Sequence, residues 1–294
     1  MRITQSMLSS NMLSSLSKSY EKMAKYQDQI SSQKKITRPS DDPVVAMKGI
    51  SYRRNLQEIE QYKRNFSEAY NWIDNSDASL DKAGQALQRI RELVVQASND
   101  TYDESQRDSI RQEVSQLKEH LVEIANTKVG DKYIFNGTNT LNQPIVSATL
   151  PAVTTNNNPV ELELSKGVFI HVNVTPDQVF NTNLFKDIDD LIQQLDPASN
   201  PTGQNLNPFI EKVDGHLTNV TNSRSSLGAR MNRVELMEDR IDQQEVISKE
   251  VLSNNEDIDF EKVVTEMLAQ ESVHRAALSI SARIIQPSLM DFLR

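Results

Sequence analysis

Cysteine is absent from all 294 residues, which excludes disulfides, thiol catalysis and thiolate metal sites, and suits a chain that works outside the cell. Glycine is scarce, at 8 residues, and no glycine-rich phosphate loop or strained nucleophile turn can be assembled from them. Aromatic residues make up 5% and hydrophobic residues 37%, too few for the thick core of a layered enzyme. Long apolar runs are missing too. No stretch has the length needed to cross a membrane, so membrane insertion is not expected. The opening MRITQSMLSSNMLSSL lacks the apolar run and small-residue cleavage site of a secretory signal. That start implies a cytoplasmic chain, or one exported without a cleaved signal. A net charge of −9 argues against nucleic-acid binding.

What is abundant is Gln, Asn, Ser and Glu in long segments of helical periodicity. Prolines divide them. None falls between Val44 and Asn142 or between Phe209 and Gln286, whereas seven of the ten lie from Pro144 to Pro208. Two long helical regions therefore flank a different middle. The sharpest break is Ser31–Ala46, SSQKKITRPSDDPVVA. Pro39 cannot continue a helix, Ser40, Asp41 and Asp42 are N-capping types, and Pro43 suits a first helical position. The Asp pair has no third carboxylate or histidine beside it, so this is read as a helix break and not a metal or acid–base site.

Upstream of the break, Leu13, Leu16, Tyr20, Met23, Gln27 and Ile30 step by three and four, a heptad seam with one polar member. Downstream the alternation runs unbroken from Ile59 through Phe66, Ile73, Leu80, Leu87 and Val94 to Ala97, a seam of about 57 Å at 1.5 Å per residue. Asn99-Asp100-Thr101 is expected to end this helix and cap the next, whose seam Ile110–Ile124 stops near Gly130. A further heptad covers Ile210 to Glu245, with Arg224, Glu238 and Glu245 as charged members that would fix its register. Ser253–Asp259 interrupts the pattern. A last helix then carries Val273, Ala277, Ile280 and Ile284 and ends before Pro287. The first forty residues carry a net charge of +5 and Ser253–Arg294 a net −3, which suggests that the two ends lie side by side.

Between the helices the period changes. Asn136-Gly137 reads as a hairpin turn, and IVSATL, VELEL and VFIHVNV read as strands. Leu184–Leu195 is helical again, and Pro197–Pro208 is expected to be a loop. The fold class is therefore mainly α: a long antiparallel helical bundle or coiled coil built from both terminal regions, with a small β-rich insertion. The expected domains are paired terminal helices (1–42 and 253–294), a discontinuous helical body (43–143 and 183–252) and the insertion (144–182).

Chemistry finds no foothold. His120, His171, His216 and His274 are far apart, and no serine has a plausible base in sequence. The chain is expected to be no enzyme and to use no cofactor and no metal.

Several stretches together resemble the bacterial flagellin superfamily, which includes the flagellar hook-associated proteins. They are MRIT, Ser31–Pro43 (SSQKKITRPSDDP), Asp131–Thr140 (DKYIFNGTNT), Arg224–Arg233 (RSSLGARMNR), Leu252–Phe260 (LSNNEDIDF) and the closing QPSLMDFLR. YIFNGTNT and SLMDFL are most similar to the members at the hook–filament junction, with filament flagellin as the alternative. The resemblance implies a structural subunit of the bacterial flagellum, exported without a cleaved signal, whose terminal helices order on incorporation. Its implied partners are copies of itself in a ring, hook-associated protein 1 on the hook side, flagellin on the filament side and a flagellar export chaperone. The assembly interface would use Leu13, Leu16, Tyr20, Met23, Ile30, Val273, Ala277, Ile280, Ile284, Leu289 and Phe292. The spoke would use Pro39, Ser40, Asp41, Asp42 and Pro43. A cytosolic coiled-coil scaffold is the competing reading of a different class.

Overall fold

A computed structural model of the chain describes residues 5–99, 102–146, 153, 156–199 and 202–290. Helices dominate: α1 (Gln5–Ser32), α2 (Pro43–Ala97), α3 (Glu104–Ala125), α4 (Thr182–Gln194), α5 (Gly203–Glu256) and α6 (Phe260–Met290). Among the described residues four short strands form two antiparallel pairs, β1 (Lys128–Val129) with β2 (Lys132–Tyr133), and β3 (Glu161–Ser165) with β4 (Val168–His171). Residues 1–58 and 244–294 form one compact unit and residues 59–243 another.

The 59–243 unit holds the core. Every apolar seam position from Ile59 to Ala97 is buried except the half-buried Tyr62, because a 3.5-residue repeat keeps one stripe of α2 against its neighbours. Trp72, Ala86 and Leu93 beside that stripe are buried as well, so more than one neighbour covers this length of α2. The charged members of the α5 seam are held by named partners. Arg224 donates to Asp77 at 2.9 Å and to Asp81 at 2.6 Å, and Glu238 accepts from the Tyr70 hydroxyl at 2.6 Å. Burial, and then Glu238, push the Tyr70 phenol well above its ordinary pKa.

The β segments lean on the same helices. Leu164, Ile170, Val172 and Val174 join the core cluster, while Phe169 and His171 on the opposite face of β4 stay exposed. Asn65 donates to the Glu163 carbonyl at 2.7 Å and Arg230 to the Asn173 carbonyl at 2.9 Å, fastening the hairpin to α2 and α5.

Several boundaries differ from the sequence reading. The β1–β2 hairpin turns at Gly130 (φ +60°), not at Asn136-Gly137. Gly137 instead belongs to a turn closed by Asn139 N–H on the Asn136 carbonyl, with the Asn156 and Asn158 carbonyls pressed where a side chain would stand. Most of IVSATL lies outside the described residues, with Ile145 bridged to Val153. The cap of α3 is Asp103, reciprocated by Gln106, and Asp100 and Thr101 lie outside the described residues. The helix α3 itself stops at Ala125, and β1 fills the stretch toward Gly130. The Pro197–Pro208 stretch is only partly a loop. The Thr202 carbonyl accepts from Asn205 and Leu206, so α5 starts at Gly203 and takes Pro208 into its second turn. Finally, α6 runs past Pro287 to Met290.

Candidate functional site

The 1–58/244–294 unit is built on a different plan. Among the described residues its buried positions are Ser19, Gly49, Ser248, Glu256, Val263 and Ser281: three serines, a glycine, a carboxylate and one apolar side chain. Two features organise it, the α1–α6 pair and the knot where the linker between α1 and α2 meets the α5–α6 turn.

In the pair, α1 turns Met12, Leu16, Ser19, Met23, Tyr26 and Ile30 inward, and α6 answers with Val263, Met267, Gln270, His274, Ala277 and Ser281. Gln270 donates to the Ser19 hydroxyl at 2.8 Å, and the Tyr20 and His274 rings meet at 6.1 Å. Partial burial, and after it Glu266, raise the Tyr26 phenol pKa. Polar side chains, Ser19, Tyr26, Gln270, His274 and Ser281, interrupt the seam. Further large apolar residues sit on its flanks: Leu13 (64% exposed), Tyr20 (65%), Val273 (57%) and Ile280 (52%). Met23, Gln27, Ile30, Met267 and Glu271 border an open cavity of about 270 Å³ along one flank.

The predicted interface residues therefore divide. Leu16, Met23, Ile30 and Ala277 are half-buried within the pair, whereas Leu13, Val273, Ile280 and, apart from its contact with His274, Tyr20 are exposed on its flanks. The expected register on α1 is corrected by one flank, because the stripe facing α6 passes through Met12, Ser19 and Tyr26 in place of Leu13, Tyr20 and Gln27. The side chains of Ile284 and Leu289, and Phe292 altogether, lie outside the described residues.

In the spoke, Asp42 caps α2 by accepting from Val44 and Val45, with Pro43 at the first helical position. Asp41 closes the preceding turn, accepting from Arg38 N–H at 2.9 Å and Thr37 N–H at 3.2 Å, and the Arg38 bond chiefly lowers its pKa. Ser40 and Pro39 are exposed. Yet Pro39 is not what ends α1. The helix stops at Ser32, seven residues earlier, where Gln33 takes a left-handed conformation (φ +56°). Lys34 then pairs with Asp257 as an antiparallel bridge.

That bridge opens onto a carboxylate the sequence reading missed. Glu256 is 5% exposed. Its side chain takes Arg53 at 2.7 Å and Lys34 at 3.5 Å, and its carbonyl accepts Lys35 N–H at 2.6 Å. Lys34 also binds Asp257 at 2.6 Å, which raises the lysine pKa and lowers that of the acid. Gly49 packs so closely on the Glu256 carboxylate that a methyl group there would overlap it. A glycine inside an otherwise regular helical pattern was the available signal. Residues 253–259 looked like one long interruption, but α5 runs to Glu256, and only 257–259 are non-helical before Asp259 caps α6.

These features arrange polar and apolar surface, not reacting groups. Among the described residues no three His, Asp or Glu side chains converge as metal ligands, and no helix is long and apolar enough to cross a membrane.

Comparison with known proteins matches residues 3–140 to the family model for the bacterial flagellin N-terminal helical region and residues 210–293 to that for the C-terminal helical region. The chain is 22% identical over 301 residues to "Flagellar hook-associated protein 3" of Escherichia coli (strain K12), covering 94% of this chain and 95% of that one. It is 25% identical over 262 residues to a flagellin of Halalkalibacterium halodurans, covering 89% and 88%. The crystal structure of flagellar hook associated protein-3 from Legionella pneumophila shares the fold, with a TM-score of 0.63 at 16% identity over 69% of this chain and 97% of that one.

Proposed function

This chain belongs to the bacterial flagellin family, and from that premise we propose that it is the structural adaptor of the flagellum at the hook–filament junction. The observation that carries the reading is the apolar surface that the terminal helices leave uncovered beside a seam interrupted by polar side chains. Leu13, Tyr20, Val273 and Ile280 are each more than half exposed while Ser19, Gln270 and Ser281 occupy the seam. Such a pair is finished by neighbours. In a tube, adjacent subunits cover the flanks and fill the cavity beside Met23 and Met267, and burial then offsets the ordering of the helices.

On this reading the partners are copies of the chain in a ring, hook-associated protein 1 on the hook side and flagellin on the filament side. A flagellar export chaperone covers the termini before export, which proceeds without a cleaved signal. The protein catalyses nothing and engages neither nucleic acid nor lipid. Near-full-length likeness to a hook-associated protein 3 supports the junction role. The comparable likeness to a flagellin supports a second reading, a filament subunit.

Imaging of flagella in a deletion strain separates the two. Loss of the junction adaptor should leave bare hooks while flagellin accumulates in the medium. Bare hooks with no flagellin in the medium would favour the filament reading, and normal filaments would contradict both.

A further inference from the structure

The α1–α6 flanks are not the only apolar surface left open in the 1–58/244–294 unit. At the start of α2, Val44, Met47 and Ile50 follow one another at steps of three and are 62%, 73% and 67% exposed. Val44 and Met47 lie opposite Gly49, the face that α2 turns toward Glu256, and Ile50 sits on the flank, beside an open cavity that Ala46, Arg53 and Glu256 also border. Near the end of α5, Val246 and Ile247 are 66% and 60% exposed and turn away from Ser248, which meets Asn55 of α2 at 3.4 Å, while Val251, 38% exposed, lies at the edge of that contact. Val44, Met47, Val246 and Ile247 thus face away from the contact between α2 and α5, and their exposure shows that this contact leaves them uncovered.

The charges beside the patches differ in sign. Lys48 and Arg54 border the α2 patch and Glu250 borders the α5 patch; all three are exposed, and none makes an ion pair among the described residues. The neighbouring charges Arg53 and Lys249, by contrast, are already paired with Glu256 and Glu245.

We propose that the α2 patch of one copy docks on the α5 patch of the next, with Lys48 and Arg54 facing Glu250. Because the two surfaces are different, the contact is head-to-tail and repeats around a ring or along a helix. A flat apolar patch of this kind, rimmed by unpaired charge, is the usual mark of a protein–protein surface. The inference rests on the subunit reading above and supplies it with a second contact, separate from the terminal pair.

The absence of cysteine makes the test direct. Full-length Met47→Cys and Ile247→Cys variants, carrying different tags, are co-expressed, and isolated flagella are treated with a short bis-maleimide. Both positions are exposed, so neither substitution threatens folding. The expected result is a mixed 47–247 dimer. Arg54→Glu in the first variant should lower its yield severalfold, and adding Glu250→Arg to the second should restore it. Only 47–47 or 247–247 dimers, cross-links to another flagellar protein, or no cross-link from chains present in the flagella would overturn the contact while leaving the subunit reading intact. Absence of even the unmodified chain from isolated flagella would overturn that reading and the contact with it.

Discussion

Glu256 is the only buried carboxylate among the described residues, and it is held on three sides by Arg53, Lys34 and the bare backbone of Gly49. Removing one partner from a buried ion pair is costly because the other charge is left desolvated. Gly49→Ala leaves every charge in place but forces the carboxylate away from Arg53. The expected outcome is an unchanged thermal melt of the 59–243 unit, to which neither residue belongs, together with a clear loss of motility and filament attachment. Wild-type motility would show that the knot is dispensable. At this scale the sequence was only half legible. Asp42 and Pro43 could be placed by their capping chemistry alone, whereas Glu256, inside an Asn-Asn-Glu-Asp run, looked like one more helix-capping group. Nothing local says that a carboxylate will be buried against an arginine 203 residues earlier in the chain.

The helices show where periodicity informs and where it misleads. On α2 the three–four alternation marks the buried stripe from Ile59 to Ala97 because the covering partners belong to the same chain. On α1 the same alternation picked out Leu13 and Tyr20, which the chain leaves exposed, and missed the true seam at Ser19 and Tyr26. Hydrophobic spacing reports which face is apolar, not which molecule covers it. The break between α1 and α2 teaches a related lesson. Prolines announced it, yet Gln33, Asp41 and Asp42 enforce it through a left-handed residue and four backbone N–H bonds. Replacing both Pro39 and Pro43 with alanine leaves those bonds available. Circular dichroism should therefore show little added helix and the 59–243 unit an unaltered melt, while filament attachment falls as the linker loses stiffness. Normal flagella in that variant would reduce the two prolines to boundary markers.

Across the whole molecule the hydrophobic core stops abruptly. Among the described residues the buried apolar side chains run from Ile59 to Ile241, and beyond them only Val263 is buried. Fixing a residue's backbone costs about 1–2 kcal/mol, and α1 with α6 must meet that cost through a seam in which Ser19, Gln270, His274 and Ser281 take places that apolar side chains fill in the body. The fold class, long helices with a small β-rich middle, was legible in the sequence from proline gaps and the switch between helical and strand periods. The compact units, by contrast, divide at 58/59 and 243/244, inside α2 and α5, where no proline or change of period marks a boundary. The narrowness of the terminal seams was legible too, but which flank of each terminal helix turns inward was not, since that depends on the partner that covers it. The central claim is that the terminal pair becomes stable only when neighbours cover it. Hydrogen exchange followed residue by residue on the free full-length chain tests it most directly. Amides of Leu13–Ile30 and Val273–Ile284 should exchange fast while those of Ile59–Ala97 and Ile210–Ile241 stay protected. Protection of α1 and α6 equal to that of the body would mean the pair is already stable alone, and ordering on incorporation would have to be abandoned.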